Sequence, residues 1–341
     1  KVSSAWDRFA VALGKHPDPG DAPKLPTRIP FIDEKGKVLW EKKLPDESWA
    51  IDMTRDGSYV ASATNSLEGN NFAYLWDAAG NEVWKKTLPG ESYDVRFSPD
   101  GLSVATGPHE DNGAGLVLYD TLTGEEKWNH AMGGTKVVRQ TAFLKKGKYV
   151  LAGQPLHLYR ANGKLVWRRY HPYLPYAIWP SSNGSRIMVP DKGDSLSMFS
   201  LRGKLLWRRE QRVITYGAMS ANASVVVITT THGYIYCYDK KGKIKWYHLI
   251  PGGRGTAGHN AIDITPDGKY IVVGAGGYTT ILYDSRGNVL WRHAGDTPYD
   301  QQKNHYQQSV MAVRISPDGK KIASGYGTLD PMLSYFEKTG Q

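Results

Sequence analysis

One cysteine, Cys237, is all the thiol chemistry in 341 residues. An internal disulfide is therefore excluded, and so is a metal centre built from cysteines. Set within YIYCYD, this thiol reads as a core side chain. No apolar run reaches the ~18 residues of a membrane helix, so no transmembrane segment is expected. RNA-recognition signatures are missing, and the aromatic residues fall in strand patterns, so nucleic acid is not an expected partner. Acidic residues are outnumbered, 33 against 43 Lys and Arg, which leaves a net charge of +10. That balance points to an acidic partner surface, and it concerns association rather than fold.

Gly (37), Tyr (21) and Trp (11) are plentiful, a mixture that suits short strands joined by tight turns. The stretch DSRGNVLW, ending at Trp291, recurs along the chain as DEKGKVLW, DAAGNEVW, DTLTGEEKW, RANGKLVW, SLRGKLLW and DKKGKIKW. Each copy has Gly four residues before a Trp, and the Trp residues are Trp40, Trp84, Trp128, Trp167, Trp207, Trp246 and Trp291. Spacings of 39 to 45 residues define a repeat architecture. Between these copies lies a second turn signal, TRDG at Thr54, SPDG at Ser98, TPDG at Thr265 and SPDG at Ser316. Degenerate versions are LKKG at Leu144, SSNG at Ser181 and SANA at Ser220. Two hairpins per repeat give four antiparallel strands, the unit of a β-propeller blade.

The expected fold is all-β, a seven-bladed β-propeller spanning 28–341, with eight blades as the alternative. The last blade lacks its Trp after Gly340, and a spare strand at 37–44 carries Trp40. Closure of the last blade by that strand removes an open sheet edge. Against it, Ile29–Asp33 resembles a third strand in its own right, so the N-terminal hairpin could instead complement a neighbouring molecule. Residues 1–27 are read as a short helix and a Pro-rich extended linker. Trp6, Phe9, Ala10 and Leu13 make the apolar helical face, and Gly14 stops it. Pro17, Pro19, Pro23 and Pro26 follow.

The D-x-x-G-x-x-x-W element, preceded by YLWD, VLYD, YCYD or ILYD, resembles the repeat of the pyrroloquinoline-quinone-type (PQQ-like) propellers. The SPDG hairpins are similar to those of WD-repeat-like propellers. The resemblance covers about 28–341 and implies that the seven Trp residues pack blade against blade. Quinone-dependent dehydrogenases of this group have adjacent cysteines, a bound calcium and a catalytic Asp. With one cysteine, this chain departs from them at those functional positions. Non-catalytic relatives, among them the outer-membrane-assembly lipoprotein propeller, use the same repeat to bind proteins.

Candidate chemistry falls in loops. TNSLEGNN and GPHEDNGAG place Glu68, Glu110 and Asp111 among oxygen donors of the kind calcium takes, though without a calcium-loop spacing. The long loops PGGRGTAGHN and AGDTPYDQQKNHYQQS carry His259 and His305, each just before an inner strand. Two histidines near acids suit metal binding or acid–base work. Hydrogen-bonded loop residues are the plainer reading. Basic residues cluster around each Trp (EKK, KKT, RRY, RRE, RH), where they guard edge strands or form a belt for an acidic partner.

Two sequons, Asn183-Gly184-Ser185 and Asn222-Ala223-Ser224, fall at predicted turns and matter only outside the cytoplasm. A start at Lys1 fits a processed or partial chain. The expected function is a non-catalytic binding or assembly module, an extracytoplasmic subunit of a larger complex or surface structure. Its partners are other protein subunits, copies of itself included. No cofactor is expected, with calcium as the alternative. The competing function is a propeller enzyme, either a quinone-type dehydrogenase or a transferase or hydrolase using His259 and His305.

Overall fold

A computed structural model describes residues 1–12, 27–48, 50–64, 66, 70–110, 113–132, 138–153, 155–169, 177–191, 194–211, 213–250, 261–276, 278–294, 310–326 and 333–337. The chain divides into two compact units, Lys1–Ile178 and Trp179–Gln341. Among the described residues there are strands and turns but no helix.

Among the described residues each unit holds four antiparallel sheets whose strands follow chain order. In the first unit the opening sheet joins Arg8–Ala10, Arg28–Asp33 and Val38–Lys43. The second sheet runs from Ala50–Met53 to Glu82–Leu88, and the third from Ser92–Phe97 to Glu126–Ala131. The fourth runs from Thr141–Leu144 to Leu165–Arg169. In the second unit the fifth sheet runs from Trp179–Pro180 to Leu205–Glu210 and the sixth from Ile214–Met219 to Ile244–Leu249. The seventh runs from Ile262–Ile264 to Val289–His293, and the eighth joins Val310–Ile315, Lys321–Tyr326 and Leu333–Glu337.

The core lies between sheets rather than inside any one of them. Leu75 and Trp84 of the second sheet pack with Val95, Phe97 and Val104 of the third. Val227, Ile235 and Cys237 of the sixth pack with Ile271 and Tyr283 of the seventh. Second and third strands are therefore covered on both faces, as in the fully buried Val226–Thr230. Fourth strands cover only one side, and Leu165–Arg169 buries its Trp alone. Cys237 is fully buried, and burial pushes its thiol pKa up to about 12.

The N-terminal helix expected over 1–14 is not formed, and the described part, 1–12, is a hairpin. Val2 bridges Phe9, Ala10 N donates to Lys1 O (3.0 Å), and Ser3 N donates to Arg8 O (3.0 Å). Ser3 Oγ accepts from Arg8 N at 3.2 Å, just as Thr54 Oγ1 accepts from Tyr59 N and Ser98 Oγ from Ser103 N. Trp6 has φ +62°, where Gly57 and Gly101 have +75° and +74°. Ser3-Ser4-Ala5-Trp6 is thus a degenerate first-pair turn, and its positive φ is incompatible with a helix. The apolar spacing of Trp6, Phe9 and Ala10 mimicked a helical face because strand and turn bury the same residues.

This hairpin changes the arithmetic of the repeat. With it, the first sheet has its own strands, and among the described residues the sheets number eight, the alternative count. The strand-like stretch near Ile29 is the strand Arg28–Asp33, paired on one side with Arg8–Ala10 and on the other with Val38–Lys43. The segment 37–44 is therefore the last strand of the sheet that the N-terminal segment builds.

Candidate functional site

The repeat motif works between copies. The indole of Trp40 donates to Ala78 O (3.1 Å), that of Trp84 to Thr121 O (2.8 Å) and that of Trp128 to Ala161 O (2.9 Å). Trp207 donates to Lys240 O (3.0 Å) and Trp246 to Ser285 O (3.1 Å). In each case the acceptor belongs to the D-x-x-G turn of the following sheet. The glycine of that turn lies against the ring: a Cβ on Gly80 would meet Trp40 Cγ at 2.8 Å, and one on Gly287 would meet Trp246 Cδ2 at 2.8 Å. Gly and Trp, four residues apart in sequence, serve opposite faces of one blade. Trp291 packs edge-on against Phe336 at 4.8 Å.

The residue two after the Trp adds a second donor. His130 Nε2 lies 2.7 Å from Gly163 O, and Arg209 Nε donates to Gly242 O at 2.8 Å. His130 also stacks on Tyr159, with ring centroids 4.7 Å apart. Part of the basic clustering around the Trp residues is thus spent on capping turn carbonyls of the next sheet. The same turns tie up their own carboxylates. Asp77 accepts from Asn81 Nδ2 and N, and the Asn81 bonds hold its carboxyl below the usual aspartate range.

A second set of charges sits on the first strands. Asp52 Oδ2 accepts from Phe97 N at 2.8 Å, and Asp263 Oδ2 from Ile315 N at 3.1 Å. In both units a carboxylate on one first strand caps a main-chain N–H on the next, which satisfies a donor at the sheet edge. Arg96 and Arg314 stand just before the capped residues, and each bonds the preceding carbonyl. Asp94, only 3% exposed, pairs with Arg96 Nη2 at 2.8 Å and accepts from Thr141 N and Oγ1 at 2.6 and 2.8 Å. Burial pushes the pKa of Asp94 up, and Arg96 and Thr141 offset only part of that. Burial also acts on Asp52, but Lys1 (3.2 Å), Arg96 and the Phe97 N–H outweigh it and hold its carboxyl low.

These residues escaped sequence reasoning, although a signal exists. Asp52 and Asp263 each stand two residues before the Thr that opens a turn, and Arg96 and Arg314 two before the Ser. Of the residues singled out for chemistry, Glu68, Asp111, His259 and His305 lie outside the described residues. Glu110 ends the strand Ser103–Glu110, its backbone paired with Gly113. Among the described residues no three His, Cys, Asp or Glu side chains gather as a metal site.

What the described surface does offer is a set of last strands with unusual composition. Val38 and Leu39, Leu165 and Val166, Leu205 and Leu206, and Val289 and Leu290 are exposed apolar pairs just ahead of a Trp. Exposed cations follow it, as Arg168 and Arg169 or Arg208 and Arg209. Among the described residues each such strand pairs with one neighbour in its sheet. Exposed apolar pairs suit contact with a partner surface, and the cations beside them suit acidic groups.

Four-stranded sheets that dock through Trp on a repeated D-x-x-G turn define a β-propeller of PQQ-like repeats. A family model described as outer membrane protein assembly factor BamB matches residues 27–173 and again 156–329, and the chain belongs to this family. Among solved structures, the crystal structure of BamB from Moraxella catarrhalis is similar, with a TM-score of 0.64 over 91% of each chain. At 16% identity that likeness speaks for the fold alone. Among curated proteins none matches the chain.

Proposed function

We propose that the chain is a binding module of an extracytoplasmic assembly, holding partner proteins on the surface of its propeller. The observation that carries this reading is the set of last strands that expose apolar pairs followed by cations. Leu205 is 48% and Leu206 39% exposed on a strand that ends Arg208-Arg209-Glu210. Surface of that kind is costly to leave in water and suits association. Membership in a family described as an outer membrane protein assembly factor supports the same reading, both for assembly and for a location outside the cytoplasm.

The competing reading as an enzyme rests on His259 and His305, which lie outside the described residues. A direct test isolates the chain from its native source under mild conditions and weighs the particle. A stoichiometric complex is expected, lost in Leu205→Lys/Leu206→Lys and kept in Leu102→Lys, an exposed turn residue. Each variant should retain its circular dichroism spectrum. A chain recovered only as a free monomer would remove the proposal.

A further inference from the structure

Two asparagines occupy one structural position in consecutive sheets of the second unit. Asn183 lies in the turn between the first two strands of the fifth sheet, and Asn222 in that of the sixth. The matching place in other sheets is an aspartate: Asp56, Asp100, Asp267 and Asp318. There the carboxylate accepts from the turn's hydroxyl and from the N–H two residues on, as Asp267 does from Thr265 Oγ1 (2.7 Å) and Lys269 N (3.0 Å). Asn183 Oδ1 accepts the same pair, from Ser181 Oγ (3.0 Å) and Ser185 N (2.9 Å). Asn222 Oδ1 does so from Ser220 Oγ (3.2 Å) and Ser224 N (2.9 Å).

An amide oxygen is a weaker acceptor than a carboxylate, so the exchange gains the turn nothing. It does present an amide nitrogen. Since Oδ1 is fixed by two donors, Nδ2 is the atom left to point away, and both asparagines are exposed. Where the turn keeps Asp, the residue two on is Ser58, Leu102, Lys269 or Lys320. Where it has Asn, that residue is Ser in both copies, Ser185 and Ser224. The chain contains no other Asn-x-Ser or Asn-x-Thr.

We infer that Asn183 and Asn222 are acceptors of N-linked glycans, an inference that rests on the extracytoplasmic location proposed above. The donor is an oligosaccharide carried on a lipid phosphate or pyrophosphate. Asn Nδ2 bonds to the anomeric carbon, the bond from that carbon to the phosphate oxygen breaks, and the lipid phosphate leaves. Nδ2 gives up one of its two protons. Its oxygen is untouched, so the glycosylated turn keeps both hydrogen bonds that order it. Four of the other turns at this place in the repeat carry Asp, which cannot be so modified.

The test uses the intact chain from its native source. After proteolysis, the peptides bearing Asn183 and Asn222 are weighed, and each is expected to carry a glycan mass on more than half of its molecules. Asn183→Gln and Asn222→Gln should each remove one glycan from the intact mass. Ser185→Ala should also leave Asn183 bare while sparing the turn, because the main-chain Ser185 N–H supplies the bond. Protease accessibility on intact cells reports location separately. An external chain with both peptides bare overturns the glycosylation alone, and a cytoplasmic chain overturns the location and the glycosylation together.

Discussion

Two glycines with the same backbone but different surroundings separate conformation from contact. Gly36 and Gly80 have φ +81° and +88°, and both end the turn before a Trp. Nothing lies within 4 Å of a Cβ built on Gly36, whereas one on Gly80 falls 2.8 Å from Trp40 Cγ. Gly36→Ala should therefore cost only the left-handed backbone penalty, about 1–2 kcal/mol. Gly80→Ala adds the displacement of an indole that also donates to Ala78 O, worth roughly another 1–3 kcal/mol. Urea unfolding of the two variants checks the difference. Equal losses would mean that the Trp contact carries no energy.

At the scale of the element, the junction between sheets was half legible. Spacing revealed that Gly and Trp repeat together. It could not reveal that Trp40, Trp84, Trp128, Trp207 and Trp246 each dock on the glycine of the next copy, because a fixed period looks the same from either neighbour. The basic residues after the Trp looked like a solvated edge, since a charge run has no partner until the next sheet is in place. His130 shows what was hidden: it reaches Gly163 O at 2.7 Å and stacks on Tyr159. His130→Phe keeps the stacking and loses the bond, and about 1 kcal/mol of stability should go with it. Chemical denaturation measures that, and no loss would show that water replaces the imidazole. The N-terminal hairpin was misread for a related reason. Its turn carries Trp6 in place of Gly, so the punctuation that marked the other turns was missing. The first-strand carboxylates were invisible because Asp52 and Asp263 are single residues whose partners lie 45 and 52 positions away.

Over the whole molecule, the repeated turns make a collective prediction about acid. Hydrogen bonds hold Asp77, Asp239, Asp267 and Asp318 below the usual aspartate range, led by Asn81, Lys243 N, Lys269 N and Ser316 respectively. Asp120 is held low first by Lys127, 3.0 Å away. A folded pKa below the unfolded value of about 3.9 means that the unfolded chain takes up protons first. The stabilisation is complete above that value and is lost as pH falls through the lower folded ones. Asp94 has the opposite sign, since burial raises its pKa and its ionisation opposes folding as pH rises. Asp52, Asp56, Asp100 and Asp284 are held low as well, so among the described aspartates nine lose stabilisation as pH falls and Asp94 alone has the other sign. Protonation also adds to a net charge of +10, so self-repulsion grows in the same direction. Thermal midpoints followed by Trp fluorescence should hold from pH 7 to 5 and fall steeply below about pH 4. Salt at about 0.5 M screens the repulsion and should restore part of the loss without restoring the turn carboxylates. A midpoint unchanged at pH 3 would mean that the repeated aspartates do not stabilise the turns they close.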